Sequence, residues 1–286
     1  MPDMIKKAEE IFFRILMIIS TVAIAAALLL ILFSILYKGL PSLSWEMISQ
    51  TPKGGFYFGK EGGILNAIIG SLYLSFFSTI LALIIGLPVA MYMNVFLIRH
   101  KKSLNLIRFF LDILWGIPSI VYGAFGFVIM IYFGLKTSLL AGIITVTLFI
   151  IPIMVRSMDE VIKTVPSGLL ESALSLGSTK TEISYKVFLR QCIPGIVTAI
   201  LLSFGRAIGD AASVLFTTGY TDSIPESLSD PAATLPLAIF FQLGSPIEEV
   251  RQRAFASAAI LTFIILLISI VARLLSTKFN RNKIKF

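Results

Sequence analysis

Residues 156–191 read RSMDEVIKTVPSGLLESALSLGSTKTEISYKVFLRQ, a polar segment between two long apolar stretches of the chain. Its spacing predicts a helix, a glycine and a second short helix, followed by Pro194 and Gly195. Too many of its side chains are charged for it to cross a lipid bilayer. The segment is therefore predicted to be a surface loop between two membrane-spanning helices, accessible to a soluble partner.

The rest of the sequence indicates an integral membrane protein. The 286 residues are 57% hydrophobic and 14% charged, with a mean hydropathy of +0.92, whereas a soluble domain carries roughly a quarter charged residues. Five runs without Asp, Glu, Lys or Arg each reach the roughly 17 to 25 residues that a bilayer crossing needs; they cover residues 15–37, 62–98, 113–135, 137–155 and 254–272. A sixth run, about 193–218, is interrupted only by Arg206 and Asp210. We predict an all-α membrane protein with six transmembrane helices.

The predicted helices form one transmembrane domain over residues 1–286. Residues 1–62 hold the first helix and an outer loop, residues 63–275 the core, and residues 276–286 a basic tail. The uncharged run 62–98 is too long for one straight crossing, since it would extend roughly 55 Å as a helix. We expect Gly62 and Gly63 to end the outer loop and Gly86-Leu87-Pro88 to kink the helix.

The distribution of Lys and Arg predicts the orientation of the chain. With the N-terminus in the cytoplasm, the inner segments hold 17 Lys and Arg residues and the outer loops hold six. An excess of positive charge on the cytoplasmic side is the rule for membrane proteins, so both termini are predicted to be cytoplasmic. The net charge of +8 then needs no nucleic acid as a partner.

The polar segment contains specific helix signals. Pro166 favours a helix start, and Gly177 favours a stop. Between them, Leu170, Ala173 and Leu174 fall on one face. Thr179 and Glu182 have the spacing of a capping box, which predicts a second helix with Ile183, Val187 and Phe188 on one side. These features alone leave two readings open: a linker on the membrane headgroups, or an apolar ridge and the Glu171 carboxylate presented to a partner.

The amino-acid sequence of the segment resembles the EAA loop of ABC importer permeases. The resemblance rests on Glu171-Ser172-Ala173, Gly177, Val187-Phe188-Leu189 and Pro194-Gly195-Ile196. It implies the type I (MetI-like) permease fold, with residues 156–191 as a cytoplasmic coupling loop whose Glu171, Ala173, Leu174 and Gly177 meet a groove on a separate ATPase. Ser172 replaces the usual second alanine, and Arg190 stands where the family usually has proline.

Four further segments resemble the PstA family of phosphate-importer permeases, over about residues 40–275. They are Gly62-Gly63-Ile64 with Ala67-Ile68, then residues 116–121 (GIPSIV), 205–211 (GRAIGDA) and 230–236 (DPAATLP). The chain departs from that family in carrying Asp210 where Glu is usual and in lacking an acidic residue near Val95.

Arg206 and Asp210 are the charges predicted to lie inside the membrane. They are four residues apart, and a continued helix would place Ser213 and Thr217 on nearly the same stripe. Ionisable groups at this depth cost roughly 2.5 to 3.5 kcal/mol each, so they normally face a protein interior or a water-filled path. The four residues are predicted to line the substrate path or its gate, with a permanent Arg206–Asp210 ion pair as the structural alternative.

Gly205 and Gly209 have the small-xxx-small spacing that lets another helix approach closely. They are predicted to be helix-packing positions beside the polar stripe, so that the wall of the path is shared with another helix.

No catalytic or metal-binding pattern accompanies these features. Residues 54–60 imitate a phosphate-binding loop, but Glu61 occupies the place of its Ser or Thr. His100 is the single histidine and lies in a basic run, so neither a metal site nor an enzyme is predicted.

The resemblance implies a permease subunit of an ATP-driven inorganic phosphate importer in the inner membrane of a bacterial or archaeal cell. Its partners would be a second permease resembling PstC, two copies of an ATP-binding subunit resembling PstB, an extracytoplasmic phosphate-binding protein and membrane lipid. The loop from Tyr220 to Arg253 would face the binding protein. ATP and Mg would be used by the ATPase, and the chain itself would need no cofactor. Two alternatives stay open: a permease for another oxyanion or small solute, and an ATP-independent channel or secondary transporter.

Overall fold

The computed structural model describes residues 2–53 and 61–280. The imitation phosphate-binding loop at residues 54–60 and the end of the basic tail at residues 281–286 lie outside them. Within the described residues, five helices are long and apolar enough to cross a membrane, and a bent pair of helices makes six when it is counted as one span. The predicted all-α architecture with six spans is therefore confirmed.

The described residues form eleven α-helices, one short 3-10 helix, two π-helical turns and one small hairpin. The helices are α1 (Pro2–Gly39), α2 (Trp45–Ser49), α3 (Leu65–Met91), α4 (Lys101–Gly116), α5 (Ser119–Tyr132), α6 (Leu139–Lys163), α7 (Ser167–Ser175), α8 (Lys180–Glu182), α9 (Leu189–Gly209), α10 (Leu235–Leu243) and α11 (Glu248–Asn280). Strands β1 (Pro52–Lys53) and β2 (Glu61–Gly62) pair antiparallel in the outer loop.

The centre of the molecule is the packing of α3 against α6. The hydroxyl of Ser78 donates to the carbonyl of Ile143 at 3.2 Å, and the amide of Asn94 donates to Asp159 at 2.8 Å. The offset of 65 residues is the same at both contacts, so the two helices run in the same direction. Buried small residues along α3, including Ala82 and Gly86, let the backbones approach closely.

The third predicted span is interrupted by a sharp bend. The uncharged run 113–135 was expected to cross the membrane as one helix. It instead contains the end of α4 and all of α5, and these two helices meet at an angle of 92°. Ile117 takes an extended conformation ahead of Pro118, as expected for a residue whose neighbour is proline. The span therefore begins at Lys101 and is a broken pair, not one helix over residues 113–135.

Other prolines lie inside helices that continue. α3 passes through Pro88 and ends in a π-helical turn at Tyr92–Phe96. α9 contains Pro194 and follows a π-helical turn at Ile183–Phe188. The second helix of the polar segment was predicted to be separate and short. It instead runs from Lys180 to Gly209 as one span.

The span predicted at about residues 193–218 ends before its apolar run does. α9 stops at Gly209, and Asp210 has an extended backbone. Residues 210–234 then form an irregular segment that packs into the bundle. Its carbonyls accept hydrogen bonds from the first residues of α6: Ser138 N donates to Thr217 at 3.0 Å and Leu139 N to Asp230 at 2.8 Å. These partners satisfy backbone groups that helix termini would otherwise leave open.

The first helix stands at the edge of the molecule. None of the apolar part of α1 is buried inside the structure. The carboxyl-terminal end of α1 packs on α11, where Lys38 Nζ lies 4.9 Å from the centre of the Phe255 ring. Between α1 and α3 lie α2 and the hairpin, and the division at residue 62 stays a prediction.

Candidate functional site

Two sequence motifs about 90 residues apart meet around one cavity. The α4–α5 bend and the end of α9 line a space of about 500 Å³. Its lining comprises residues 115–119, Phe149, Gly205, Arg206, Gly209 and Asp210. The motifs GIPSIV and GRAIGDA, which carry much of the family resemblance, therefore contribute to the same site.

The cavity lies within the membrane-spanning part of the bundle. Arg206 lies over the ring of Phe149, with 5.6 Å between the guanidinium carbon and the ring centre. Phe149 is about ten residues into α6, which places it about 15 Å from the start of that helix at 1.5 Å per residue. The guanidinium is therefore well below the bilayer surface.

The two intramembrane charges do not pair with each other. Between Arg206 and Asp210, both within the described residues, there is no ion pair, and the contact of Arg206 is the cation–π contact with Phe149. The Asp210 carboxylate accepts a hydrogen bond from the Ser213 amide at 2.8 Å, so it caps the turns that follow α9. The structure thus shows an exposed guanidinium instead of the permanent ion pair that was the structural alternative.

The predicted helical stripe is wrong beyond Asp210. Because α9 ends at Gly209, Ser213 and Thr217 do not continue its face. Both are fully buried, and Thr217 donates to the Ser213 carbonyl at 3.3 Å. Neither lines the cavity around Arg206. Their role in a substrate path or gate stays a prediction, and this geometry places them in the packing behind the cavity.

A second cavity of about 510 Å³ adjoins Arg206 on its other side, between α9 and α11. Gly205 and Arg206 line both cavities. A Cβ atom at Gly205 or Gly209 would meet no atom within 4 Å, so no described helix of this chain packs on them. Their predicted role in helix packing can therefore involve only another subunit, and it stays a prediction.

The coupling segment presents part of its predicted apolar face to the exterior. Leu174 is exposed, and Leu176 is 86% exposed. Glu171 is exposed as well. Ala173, by contrast, is only 9% exposed and packs with Leu170 on the core of this chain. The expected single ridge is thus divided, and Ala173 holds α7 to the bundle instead of facing outward.

The turn after α7 has the predicted geometry. Gly177 has a φ of +81°, a left-handed conformation that costs other residues roughly 1 to 2 kcal/mol. Its amide donates to the Leu174 carbonyl at 3.0 Å, which closes the helix end. The predicted capping box of Thr179 and Glu182 is present and starts the long span that ends beside Arg206.

A buried ion network was not predicted. It lies at the end of the bundle where α4 begins and α6 ends, which we call the basic end. The Asp159 side chain is fully buried. Its two oxygens accept from Arg108 Nε at 3.0 Å, Arg108 Nη2 at 2.9 Å, Asn94 at 2.8 Å and Arg156 at 2.6 Å. Lys163 lies 3.1 Å away as a further cation. Three segments are thus held together: the end of α3, the middle of α4 and the end of α6.

Arg156 extends the network to two more carboxylates. Its Nε donates to Asp112 at 2.5 Å and its Nη1 to Glu160 at 2.9 Å. The sequence prediction used Arg108 and Arg156 only as orientation charges. The available signal was spacing, since Arg108 and Asp112 are four apart, as are Arg156 and Glu160. The spacing does not tell which charges of α4 meet α6.

Comparison with known proteins identifies the family. A family model described as the binding-protein-dependent transport system inner membrane component matches residues 82–285. The chain belongs to this family. It is therefore an inner-membrane permease, a transport component and not an enzyme, as predicted. Permeases of this kind work with a substrate-binding protein, an ATPase and a partner permease.

Individual relatives cover most of the permease. It is 34% identical over 244 residues to the phosphate transport system permease protein PstA of Pasteurella multocida (strain Pm70), which covers 85% of this chain and 86% of that protein. It is 30% identical over 271 residues to the probable ABC transporter permease protein YqgI of Bacillus subtilis (strain 168), with 89% and 91% covered. The predicted family resemblance is confirmed over nearly the whole chain.

Solved structures show the same fold. The MetNI methionine ABC transporter in an inward-facing conformation matches with a TM-score of 0.64 at 21% identity, covering 76% of the permease and 95% of that chain. A bacterial alginate ABC transporter, crystallised with its pentasaccharide-bound periplasmic protein, matches with a TM-score of 0.56 at 17% identity, covering 91% and 96%. These matches confirm the predicted ABC importer permease fold.

The loop predicted to face the binding protein, Tyr220 to Arg253, has an ordered start in the permease. Asp230 accepts hydrogen bonds from the amides of Ser227 at 2.8 Å and Glu226 at 3.1 Å, and these donors, Ser227 first, hold the pKa of Asp230 below its ordinary value. Burial, assisted by the charge of Asp222, raises the pKa of the Tyr220 hydroxyl. The Tyr220 ring packs edge-to-face on that of Phe241, with 5.3 Å between the ring centres.

Proposed function

We propose that this permease is one of two membrane subunits of an ATP-driven importer of inorganic phosphate. The observation that carries the proposal is the convergence of residues 116–119 and 205–210 on the Arg206 cavity. These are two of the motifs shared with phosphate-importer permeases. The identity of 34% with a PstA protein over 85% of the chain supports the same substrate.

The chemistry of the cavity suits a protonated oxyanion. The guanidinium of Arg206 has no carboxylate partner among the described residues and can donate two parallel hydrogen bonds to phosphate oxygens. Asp210 lines the same cavity and is an acceptor. Phosphate keeps a proton at neutral pH and can donate it to this carboxylate, whereas sulfate has none to donate. The pair therefore favours phosphate over sulfate.

The geometry also supplies a route for coupling. Glu171, Leu174 and Leu176 are exposed at the basic end, where an ATP-binding subunit would receive them. The span from Lys180 to Gly209 is continuous, about 45 Å at 1.5 Å per residue. A displacement of its basic end would move Arg206 at the other end. Closure of the ATPase would thereby change the cavity.

The proposed complex contains this permease, a second permease resembling PstC, and two copies of an ATPase resembling PstB that use ATP and Mg. An extracytoplasmic phosphate-binding protein would deliver phosphate at the loop from Tyr220 to Arg253. Both cavities at Arg206 are open on the surface of α9. The second permease would close them and complete the path.

Reconstitution of the purified complex in vesicles tests the substrate and the energy source together. We expect uptake of radiolabelled phosphate that requires ATP and the binding protein, and that excess sulfate inhibits weakly. Uptake without ATP would indicate the channel or secondary transporter. Equal competition by sulfate would indicate a permease for oxyanions in general.

The coupling role has a separate test. We expect Glu171→Lys and Gly177→Asp to abolish co-purification of the ATPase, because each changes the charge of the permease surface that would contact the ATPase. Gly177→Asn is the control for the turn, since Asn tolerates positive φ and adds no charge. Ser103→Lys is the control for charge. It alters an exposed residue on α4, away from Glu171 and Gly177, and should retain the ATPase. Retained, substrate-stimulated ATPase activity in the first two variants would contradict the coupling role.

A further inference from the structure

A third cavity lies at the basic end, apart from the two cavities that adjoin Arg206. It is a cleft of about 620 Å³ between the π-helical turn after α3, α4, the end of α6 and the segment leading into α7. We call it the basic cleft. Its charged lining residues are Lys101, Arg108 and Lys163, and none of the acidic residues that the structure describes lines it.

The cations of the basic cleft are held in place from behind. Asp159 is buried beneath Arg108 and Lys163 and binds both. The ion network as a whole is neutral, since Arg108, Arg156 and Lys163 balance three carboxylates. Lys101 forms no ion pair within the described part of the chain. The basic cleft therefore carries one uncompensated positive charge, that of Lys101.

Hydrogen-bond donors remain available around that charge. Arg108 binds the network through Nε and Nη2, which leaves Nη1 without a partner among the residues that the structure describes. Asn105 also lines the cleft and its amide forms no hydrogen bond there. An ammonium, a guanidinium nitrogen and an amide are the donor set that binds phosphate oxygens.

The remaining wall of the cleft is mostly apolar, with Asn94 and Thr164 as its polar members. Leu104, Leu170 and Phe188 line it, and α4 exposes Leu106, Phe109 and Phe110 on its outer surface. Cations above an apolar wall, at the end predicted to be cytoplasmic, match the pockets that hold anionic headgroups between transmembrane helices.

We propose that the basic cleft binds a phosphate group, carried by an anionic lipid of the inner leaflet or by an inorganic phosphate ion on the cytoplasmic side. The two sources share the same recognition by Lys101, Asn105 and Arg108. A bound phosphate group would lie between α4, which leads to the Arg206 cavity, and the segment that leads into α7. This site is separate from the substrate path and does not depend on which anion the permease transports.

The test compares two neighbouring lysines. Lys101 lines the cleft, whereas Lys102 is exposed next to it and does not. Thermal unfolding of the full chain is followed in detergent during titration with phosphatidylglycerol, with phosphatidylcholine as the neutral comparison. A separate titration uses inorganic phosphate without lipid. We expect Lys101→Gln to raise about tenfold the ligand concentration that gives half of the stabilisation, since a charge-assisted hydrogen bond contributes about that factor in affinity, and Lys102→Gln to leave this concentration unchanged.

Each outcome decides the proposal. A Lys101-dependent response to phosphatidylglycerol identifies the lipid, and a Lys101-dependent response to inorganic phosphate identifies the free ion. Equal loss in the Lys101 and Lys102 variants, or no response to either ligand, would overturn the site. Asn105→Asp is the second variant. It keeps the size of an exposed side chain, so the same unfolding temperature without ligand shows that its loss of binding is not a loss of fold.

Discussion

The permease holds two groups of charge inside its bundle, and they are built in opposite ways. At the basic end, Asp159 is surrounded by Arg108, Arg156, Lys163 and Asn94, all within 3.1 Å of its oxygens. At the Arg206 cavity, the guanidinium faces an aromatic ring and open space, and Asp210 is engaged by a backbone amide.

The difference indicates which charges are structural and which are available to a ligand. A buried carboxylate with four partners has no capacity left for a substrate, and its pairs hold helices together. A cation at membrane depth without a carboxylate partner is costly unless something else compensates it. In the proposed function, a transported anion would supply that compensation. The following substitutions test this contrast, starting with the largest expected effect.

Asp159→Ala should damage the fold most. It leaves three cations around an empty position, and breaking a buried pair by removing one partner costs about 3 to 5 kcal/mol. We expect little permease in the membrane and a large fall in unfolding temperature in detergent. Glu160→Gln is the matched control, because its side chain is 59% exposed. A normal unfolding temperature for Asp159→Ala would show that the network is not structural.

Arg206→Ala should damage transport while sparing the fold. We expect about a 30-fold loss of phosphate uptake at a normal protein level, since losing a charge-assisted hydrogen bond costs about 2 kcal/mol. Arg206→Lys should recover only part, because an ammonium does not donate two parallel hydrogen bonds. Arg190→Ala alters an exposed arginine on the same helix. Normal uptake by Arg206→Ala at a normal level would remove Arg206 from the path.

Asp210→Asn should change selectivity more than rate. Asparagine keeps the cap on the Ser213 amide but loses the charge that accepts a proton from phosphate. We expect the preference for phosphate over sulfate to fall about fivefold, equivalent to about 1 kcal/mol, in competition uptake assays. Asp210→Ala separates the cap from the charge, since it should also cost about 1 kcal/mol of stability. Unchanged selectivity in both variants would contradict the proposed discrimination.

Lys163→Met should have the smallest effect on the network. Lys163 is one of four partners of Asp159 and its side chain is 32% exposed, so the expected loss is about 0.5 kcal/mol in thermal unfolding. Lys186→Met removes a surface pair with Glu182, in which the two side chains are 70% and 44% exposed, and should change nothing measurable. A loss as large as that of Asp159→Ala would mean that the partners of Asp159 are not shared as the structure shows.

The sequence predicted the spans and the coupling turn because their signals are local. Uncharged length is enough to place a membrane helix, and a left-handed glycine after α7 follows from Gly177 itself. The bend at Pro118 and the end of α9 at Gly209 are different. Pro88, Pro152 and Pro194 lie within continuous helices, so proline alone does not distinguish a break.

Tertiary contacts accompany the end of α9. Residues 210–234 leave the helix because their backbone finds partners on α6, and a Cβ at Gly142 would clash with Thr218 at 2.0 Å. The ion network was beyond prediction for the same reason. Spacing shows which charges share a helix face, but the pairing of Arg108 with Asp159 depends on how α4 crosses α6.

The irregular segment 210–234 also constrains how the protein is made. Asn66 donates to the Thr221 carbonyl across 155 positions, and Ser71 accepts from the Leu235 amide across 164. During synthesis, α3 enters the membrane long before the ribosome reaches either partner. Its buried polar side chains must wait for more than half of the chain to be translated. The bundle is therefore completed by its carboxyl-terminal half, and truncation before Thr221 would remove the hydrogen-bond partners of both Asn66 and Ser71.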